Sequence, residues 1–386
     1  MATCEVMILL LWLALAAVAW PHVGYPVLML LLARVMPRDV ARMPIEPSVS
    51  VIVAAHNEEA VIADKVSQTL ALDYPADKLE VIVAADGCSD DTCAIVAGLA
   101  EPRARLLDLR PRNGKTAAQN AAAAVAAGEI LVFTDATTLI PHDAIRGLVS
   151  CFADPRVGCA GAELEYVSRG GTAVGSGGSA YWKYEKAIKR AESKVNSLIG
   201  VSGCLYAVRA SAYRPIDPDL TSDFVIASDI AALGKRVVYA EGVVAREETN
   251  ERSEDEFRMR VRVIVQSIHA LVRKRAMLNP LVSGFFAFQL FSHKVLRYLT
   301  PLFLGAILVL NVAVVALTGA PVYVLLLAAQ AGAYAAATAQ YALLRFGVRW
   351  RPLVVPFYFL HANLAALWAL IAYLRGERAV TWTPIR

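Results

Sequence analysis

Three aspartates are of types and in places that could do chemistry, and the first two stand where hydrophobic runs stop. Asp86 ends the string VIVAAD, Asp135 ends ILVFTD, and Asp223 lies in the polar string LTSDF. In an open α/β sheet, a strand that ends in a carboxylate presents it at the carboxyl edge, where such sheets bind ligands. If the fold brings the three together, they can hold a nucleotide, a metal ion and a reacting hydroxyl.

The elements that must position these aspartates alternate between strand and helix. Hydrophobic periodicity predicts strands over 49–55, 80–85, 129–134, 204–208 and 236–240. Helices are predicted over 57–71, 90–100, 115–127, 141–152, 178–193 and 223–233, with a long basic helix over 254–275. This order predicts an α/β fold, in which helices cover both faces of a mostly parallel sheet.

Composition places this polar region between two hydrophobic ends. The chain has 386 residues, of which 57% are hydrophobic, a high share for a soluble protein. Residues 6–36 and most of 299–344 are nearly uncharged, whereas 37–278 has ordinary globular polarity. We therefore expect an integral membrane protein with one large water-facing domain. The net charge of +4 is modest, the six cysteines show no metal-binding spacing, and we expect no nucleic-acid partner.

The first hydrophobic end, residues 1–36, is predicted to be a retained transmembrane anchor. Its apolar stretch is long enough to cross the ~30 Å of bilayer hydrocarbon, and it lacks the positively charged start of a signal peptide. Arg34, Arg38 and Arg42 follow it. The positive-inside rule then places the polar domain in the cytoplasm.

The second hydrophobic end, residues 299–375, is predicted to hold the remaining spans, followed by a tail over 376–386. Two credible spans, 301–318 and 320–344, are joined by a charge-free TGAP turn. The segment 352–374 is also apolar, but two prolines, a histidine and an asparagine interrupt it. Whether this segment spans the membrane or is re-entrant stays open.

Basic residues are concentrated in 254–297, ahead of these spans. Such a run can face ligand phosphates, anionic lipid headgroups or solvent. We expect Lys274 and Arg275 to lie against headgroups. The segment 279–298 has the pattern of an amphipathic helix that lies in the interfacial region of the membrane.

The polar domain, residues 45–275, resembles the family 2 glycosyltransferases, in the membrane-integrated branch that includes synthases of cellulose, hyaluronan and poly-N-acetylglucosamine. The matching strings occur in the family's order: AHNEE at 55–59, ADG at 85–87, NGK at 113–115, TDAT at 134–137, SGCLYAVR at 202–209, TSD at 221–223 and an arginine-rich helix at 258–262. The resemblance implies a GT-A-like nucleotide-sugar-binding domain. It also implies a protein of the bacterial inner membrane whose catalytic domain is cytoplasmic.

The same resemblance implies that an acceptor hydroxyl displaces a nucleoside diphosphate and inverts the anomeric carbon. This reaction needs a base for the acceptor, positive charge for the leaving diphosphate and a fixed nucleoside. Asp223 matches the catalytic base. The implied donor-binding residues are Asn57, Glu58, Asp86, Lys115, Asp135 and Arg262, and the implied acceptor-binding residues are Ser202, Gly203 and Cys204.

Two departures from the family's pattern concern the metal and the acceptor. Asp135 is the expected ligand of Mg²⁺ or Mn²⁺, but the family's second aspartate is replaced by Thr137. In the family's QxxRW motif only Arg262 is retained, since Met259 and Val263 stand at the glutamine and the tryptophan. That tryptophan supplies an aromatic acceptor surface in processive synthases, so addition of one sugar and polymer growth both remain open.

Three classes of function are compatible with these residues. The favoured one is a membrane-bound enzyme that moves a sugar, expected to come from a UDP-sugar, to a polysaccharide or a lipid-linked acceptor. An inactive relative acting as a binding or assembly subunit is the alternative, and the retained Asp86, Lys115, Asp135 and Asp223 argue against it. A nucleotide-driven transporter is disfavoured because the chain has no Walker A motif.

Overall fold

A seven-stranded sheet runs through the polar part of the chain. We describe residues 2–167, 176–248, 253–348 and 350–378 from a computed structural model. The strands are β1 (Val49–Ala55), β2 (Leu79–Asp86), β3 (Ala104–Leu109), β4 (Ile130–Asp135), β5 (Val157–Val167), β6 (Leu205–Arg209) and β7 (Arg236–Glu248). Their order is β3-β2-β1-β4-β6-β5-β7, and β6 alone is antiparallel to both of its neighbours.

The parallel register of β1, β2 and β4 fixes where the first two aspartates lie. Ala54 of β1 pairs with Asp135 of β4, and Ala55 pairs with Ala85, the residue before Asp86. Both carboxylates therefore stand at the same carboxyl edge of the sheet. The prediction of an α/β fold with a mostly parallel sheet is confirmed.

Helices and turns before and around the sheet have the following bounds. At the N-terminus are α1 (Ala2–Ala19), a π-helical turn (Trp20–Gly24) and α2 (Tyr25–Val35). Around the sheet are α3 (Ile62–Leu70), α4 (Thr92–Gly98), α5 (Lys115–Val125), α6 (Ala144–Ser150), α7 (Ser176–Val195), α8 (Ser222–Ala232) and α9 (Ser253–Arg273). Apolar side chains alternate along the strands, so the sheet buries one core on each face.

Two strands, β3 and β5, were not expected from the sequence. β5 contains the string VGCAGA, and glycine and alanine have low strand propensity, so its pattern is weak. The strand is stabilised by its pairing with β6 and β7, although its residues have low strand propensity. The helix predicted from residue 57 begins only at Ile62, because 56–61 form a turn in which Asn57 has φ +56°.

The C-terminal part is helical throughout most of its length. Its helices are α10 (Pro280–Ser283), α11 (Phe285–Leu290), a π-helical turn (Phe291–Val295), α12 (Leu296–Thr318), α13 (Pro321–Leu344) and α14 (Arg351–Leu374). Four described segments are long and apolar enough to cross a membrane: Thr3–Val35, Phe285–Thr318, Pro321–Leu344 and Arg351–Leu374. Within the predicted tail, residues 379–386 lie outside the described part of the chain.

The segment 279–298 does not form the separate helix predicted for it. Only Pro280–Ser283 stands apart, because Gly284 breaks the helix with φ +56°. From Phe285 the chain continues through the π-helical turn into α12. Backbone hydrogen bonding continues through the π-helical turn into α12. Pro301 lies beyond this turn and is tolerated inside α12.

Acids of the domain that contains the sheet hold the C-terminal end of the basic helix α9. Lys274 Nζ lies 2.5 Å from an Asp229 oxygen, and Arg273 lies 3.1 Å from Asp217. The expectation that Lys274 faces lipid headgroups is therefore wrong, because its charge is already neutralised by a carboxylate on α8. Nearer the middle of α9, Val265 and Ile268 pack against Ala369 and Ala372 of α14.

A buried ionic cluster joins the candidate membrane-spanning helices to the domain that contains the sheet. The Tyr25 hydroxyl donates to Glu192 at 2.5 Å, and His293 Nδ1 lies 2.6 Å from the same carboxylate. Arg297 Nη1 donates to Glu185 at 2.6 Å. Glu192 and Glu185 are both on α7, so this one helix receives contacts from both α2 and the helix that continues from Phe285.

Packing on the second face of the sheet leads to a stability prediction. Phe133 is fully buried, and its ring stacks on Tyr206 and Tyr213 with centroid distances of 4.9 and 5.5 Å. Phe133→Ala should cost ~3–5 kcal/mol and lower Tm by roughly 10 °C in detergent. Phe346→Ala is the matched control, because that ring is 82% exposed. Equal Tm values for the two variants would contradict this view of the core.

Candidate active site

Asp86 stands at the centre of the first part of the site. Its side chain is 1% exposed, and its two oxygens accept the backbone N–H groups of Asn113 and Gly114 at 2.7 and 2.8 Å. Arg112 adds a weaker ionic contact at 3.8 Å. The carboxylate thus fixes the loop before α5. Two N–H donors leave further acceptor positions on a carboxylate, so a nucleoside can still bind to it.

The turn after β1 closes onto the turn after β2. Asn57 Oδ1 accepts from the Ser89 N–H at 2.8 Å, and the Glu58 N–H donates to Thr92 Oγ1 at 2.8 Å. Glu58 is 7% exposed. The two turns form one wall beside Asp86.

Lys115, the first residue of α5, crosses the edge of the sheet to Asp135. Its ammonium forms an ion pair with the Asp135 carboxylate and donates to the Gly203 carbonyl at 3.3 Å. Burial lowers the pKa of Lys115, but the Asp135 carboxylate outweighs burial and leaves the pKa raised. The side chain therefore stays positive at neutral pH, beside the place where a diphosphate would meet Asp135.

A second lysine, which the sequence analysis missed, lies beneath the TDAT loop. Lys65 is 4% exposed, and its Nζ donates to Thr134 Oγ1 at 3.2 Å and to the Thr138 carbonyl at 2.6 Å. Burial lowers its pKa to about 8. The sequence does contain a signal, because a lysine at 65 falls on the buried face of α3 with Ile62 and Val66.

Glu247, also missed, is the second acid near Asp135. The end of β7 is bound to the TDAT loop by a backbone hydrogen bond from Leu139 N–H to the Arg246 carbonyl, 2.9 Å long. The Thr138 hydroxyl then donates to Glu247 Oε1 at 3.1 Å. Burial, with the nearby Asp135 charge, raises the pKa of Glu247. A second carboxylate, on β7, thus lies near Asp135.

Asp223 begins the opposite wall, on the first turn of α8. Thr221 Oγ1 donates to its Oδ1 at 2.5 Å, and the Val201 N–H donates to its backbone carbonyl at 3.0 Å. A Cβ at Gly203 would lie 3.3 Å from Asp223 Oδ2, so the glycine lets the loop approach the carboxylate. Thr116 Oγ1 donates to the Leu220 carbonyl at 2.7 Å and ties this wall to α5.

The acceptor candidates 202–204 are not equally accessible. Ser202 is 9% exposed and Cys204 is 4% exposed, and the Cys204 side chain packs in the core. Burial raises the pKa of its thiol, so the thiol stays protonated inside the protein. Any acceptor contact from this loop is therefore left to Gly203 and the main chain.

Two further charged residues, Asp229 and Arg262, differ in whether they already have a partner. Asp229, an acid on the same helix as Asp223, is bound to Lys274 and belongs to the far end of α8. Arg262 is partly buried on α9, and burial lowers its pKa. Among the described residues, Arg262 makes no hydrogen bond or ion pair. Its guanidinium can therefore accept an anion without first losing a protein partner.

Fold and site together define a class of protein. Asp86 and Asp135 end two strands at the carboxyl edge of the sheet, Lys115 reaches Asp135 from the start of α5, and Asp223 begins α8 beside Gly203; this arrangement is compatible with a glycosyltransferase. The model of the family described as "Glycosyltransferase like family 2" matches residues 47–265, more than half of the chain. The chain belongs to this family, and the resemblance seen in its motifs is confirmed.

Individual relatives extend the comparison. A β-monoglucosyldiacylglycerol synthase of Synechocystis sp. is 38% identical over 124 residues, which are 31% of this chain and 26% of that protein. A poly-β-1,6-N-acetyl-D-glucosamine synthase of Staphylococcus aureus is 25% identical over 197 residues, 50% of this chain and 47% of its own length. The chain thus spans between about a quarter and a half of these curated relatives.

One solved structure covers nearly the whole chain. The mannosyltransferase PcManGT from Pyrobaculum calidifontis, in complex with GDP-Man and Mn²⁺, superposes with a TM-score of 0.73 and 26% identity. The match covers 96% of this chain and 100% of the mannosyltransferase. The similarity therefore includes the helices outside the catalytic domain, and it confirms the GT-A-like fold class.

The position of Lys65 leads to a pH prediction. Above pH about 8 its ammonium loses a proton. The charge-assisted hydrogen bonds that hold the TDAT loop then weaken, by ~1 kcal/mol. The donor Kd should rise about five-fold between pH 7 and pH 9. Lys65→Met should bind donor weakly at both pH values, whereas Lys78→Met, with a side chain 40% exposed, should follow the wild type. If donor Kd of Lys65→Met also rose about five-fold between pH 7 and pH 9, the titration would belong to another group.

Proposed function

We propose that this protein is a membrane-bound, inverting glycosyltransferase that moves a sugar from a nucleotide donor to a lipid-linked acceptor. The observation that supports it best is the closing of Lys115 onto both Asp135 and the loop at Gly203, which faces Asp223. This arrangement puts the diphosphate-neutralising charge and the candidate base beside the same loop. The glycolipid named for the cyanobacterial relative favours a lipid acceptor over a growing polymer.

In this proposal each part of the site has one task. Asp86, with the turn of Asn57 and Glu58, holds the nucleoside. Lys115 and Arg262 oppose the charge that develops on the leaving diphosphate. Asp223 Oδ2 faces Gly203, where an acceptor hydroxyl can approach, and takes its proton as the oxygen attacks the anomeric carbon. The main chain around Gly203 positions the acceptor.

A divalent ion, Mg²⁺ or Mn²⁺, fits the chemistry of the residues around Asp135. Among the described residues, no group of three or more histidine, cysteine or acidic side chains could hold such an ion. Asp135 and Glu247 nevertheless offer two hard oxygen donors, and diphosphate oxygens complete such a shell. We infer that these two carboxylates would hold the ion. When bound, it would neutralise charge on the diphosphate.

The proposed placement in the membrane follows the predicted layout. Residues 1–36 anchor the protein, 45–275 form the cytoplasmic catalytic domain, and the helices from Phe285 onward supply the remaining spans. Arginines at 34, 38 and 42 favour the cytoplasmic side for the domain. A bacterial inner membrane is the proposed location.

The function is tested by incubating detergent-purified protein with a panel of nucleotide sugars and acceptors. UDP-sugars are the expected donors, and GDP-mannose belongs in the panel because the structural relative holds it. The measurement is release of nucleoside diphosphate together with the length of the product. We expect one sugar on a lipid. No release with any donor, from folded protein, would favour the inactive binding subunit.

Asp223→Asn tests the base. The amide keeps the shape of the side chain but cannot take the acceptor proton, so turnover should fall at least about a hundred-fold while donor Kd is unchanged. Asp229→Asn is the control and should keep most of the activity, because Asp229 serves the Lys274 ion pair. More than about a tenth of wild-type turnover in Asp223→Asn would place the base elsewhere.

Glu247→Gln tests the pair of acids. We expect the affinity for Mn²⁺, measured by electron paramagnetic resonance with the nucleoside diphosphate present, to fall about ten-fold or more. Thr137→Asp, which restores the family's second aspartate, should increase it. Glu165→Gln, at an exposed carboxylate that pairs with Arg246, is the control. An unchanged Mn²⁺ affinity in Glu247→Gln would leave Asp135 as the single protein ligand.

A further inference from the structure

A cavity lies between the candidate membrane-spanning helices, away from the sheet. Its volume is about 350 Å³, and α1, α12, α13 and α14 all contribute to its wall. Among the described residues, none of those that line it belongs to the sheet or to the helices around the sheet. Ligand pockets in proteins have volumes of roughly 300–1,000 Å³. The cavity is therefore large enough for a small ligand or for part of a lipid chain.

The wall of this cavity is apolar over most of its area. Leu11 of α1, Ile307 of α12 and Phe359 of α14 line it, and Leu11 and Ile307 also pack in one cluster. Ala329 and Ala333 of α13 line it too, and both are exposed. The cavity thus reaches the surface of the helices at α13. In a bilayer this surface faces lipid chains, so a ligand would enter from the lipid.

Asn311 of α12 brings an amide into this apolar wall. The side chain is fully buried, and among the described residues neither its Nδ2 nor its Oδ1 has a hydrogen-bond partner. Gln330 of α13 adds an acceptor. Its Nε2 donates to the Leu304 carbonyl at 3.0 Å and to the Tyr334 hydroxyl at 2.8 Å, whereas its Oε1 has no partner in the described part of the chain. Such groups are costly in a bilayer, because no water is there to bond them.

A hydroxyl group matches these polar atoms. It can accept from Asn311 Nδ2 and donate to Asn311 Oδ1 or to Gln330 Oε1. Water has the same capacity, but apolar cavities stay dry, and this cavity opens toward lipid. An ionised group would lose its hydration beside a wall in which the described residues include no charged side chain. An apolar chain that carries one hydroxyl satisfies both the wall and the amide.

We propose that this cavity binds a neutral lipid alcohol, with its hydroxyl on Asn311 and its chain among the four helices. Asn311 lies two turns before Thr318, the end of α12, and so ~10 Å from that end of the helix. Leu304 and Ile307 line the cavity on the other side of Asn311, where the chain would lie. The bound lipid is a resident ligand and not the sugar acceptor, because the cavity is lined by helices other than the one that carries Asp223.

The test is photolabelling of full-length protein in a neutral detergent. The probe is a ten-carbon alcohol with a photoreactive diazirine at the end of its chain, and the labelled peptides are identified by mass spectrometry. Peptides of α12, α13 and α14 should be labelled. Unlabelled 1-decanol should compete at a concentration at least about ten-fold lower than undecane, which has as many heavy atoms but no hydroxyl to bond the amide.

Variants assign this preference to the amide. Asn311→Leu keeps the size of the side chain without its polar atoms, so 1-decanol and undecane should then compete equally. Asn363→Leu is the matched control and should keep the preference. Asn363 is also buried in a candidate span, but its Nδ2 donates to the Phe359 carbonyl at 2.8 Å, and it does not line the cavity. Ala333→Phe, which fills the cavity, should remove the labelling.

Thermal unfolding of the same proteins gives a second readout. 1-Decanol should raise the Tm of the wild type more than undecane does, because a ligand that binds the native state stabilises it. Without alcohol, Asn311→Leu should unfold at the wild-type temperature or above it, since an amide without a partner contributes no bond. A lower Tm would show that the amide is bonded within the protein and would overturn the proposal.

Two further results would count against this site. Equal competition by 1-decanol and undecane in the wild type, a comparison that needs no variant, would show that no hydroxyl is recognised. Labelling that persists in folded Ala333→Phe would place the probe outside the cavity. Either result would overturn the proposal and leave the sugar-transfer proposal untouched, because neither measurement depends on a nucleotide donor.

Discussion

The parallel register of three neighbouring strands is the constraint on which the site depends. Because β1 pairs in register with both β2 and β4, the ends of all three strands fall on one line, and Asp86 and Asp135 follow at that line. The loop that Asp86 holds then begins α5, and the first residue of that helix reaches Asp135. A slip of one residue would turn each carboxylate to the other face of the sheet.

Much of this arrangement is visible in the sequence, and what is missing has physical reasons. β1 was predicted with its observed bounds because the strand is buried on both faces, so nearly all of its residues are apolar. Lys65 and Glu247 were missed because their roles depend on partners far away in the chain. Lys65 bonds to a carbonyl 73 residues later, and Glu247 to a hydroxyl 109 residues earlier. No local pattern contains such contacts.

The C-terminal helices show a second limit of prediction from the sequence. Hydropathy located these helices, but it did not separate a surface helix from the start of a span, because both are apolar over 285–297. The charged residues of that stretch settle the matter through their partners. His293 and Arg297 are bound by carboxylates of α7, so they are buried between two protein elements. Their charges therefore give no evidence for a surface helix.

The packing of α9 on α14 has a mechanical consequence. Val265 and Ile268 are locked against Ala369 and Ala372, residues small enough to let the two helices approach closely. Arg262 lies one turn before Val265 on the same helix. A movement of α14 that shifts α9 would therefore also shift the Arg262 guanidinium. A helix longer than the bilayer is thick accommodates by tilting. In the proposed membrane-bound enzyme, a bilayer of the wrong thickness would tilt α14 and shift Arg262, the proposed diphosphate-binding arginine, so lipid chain length would affect activity.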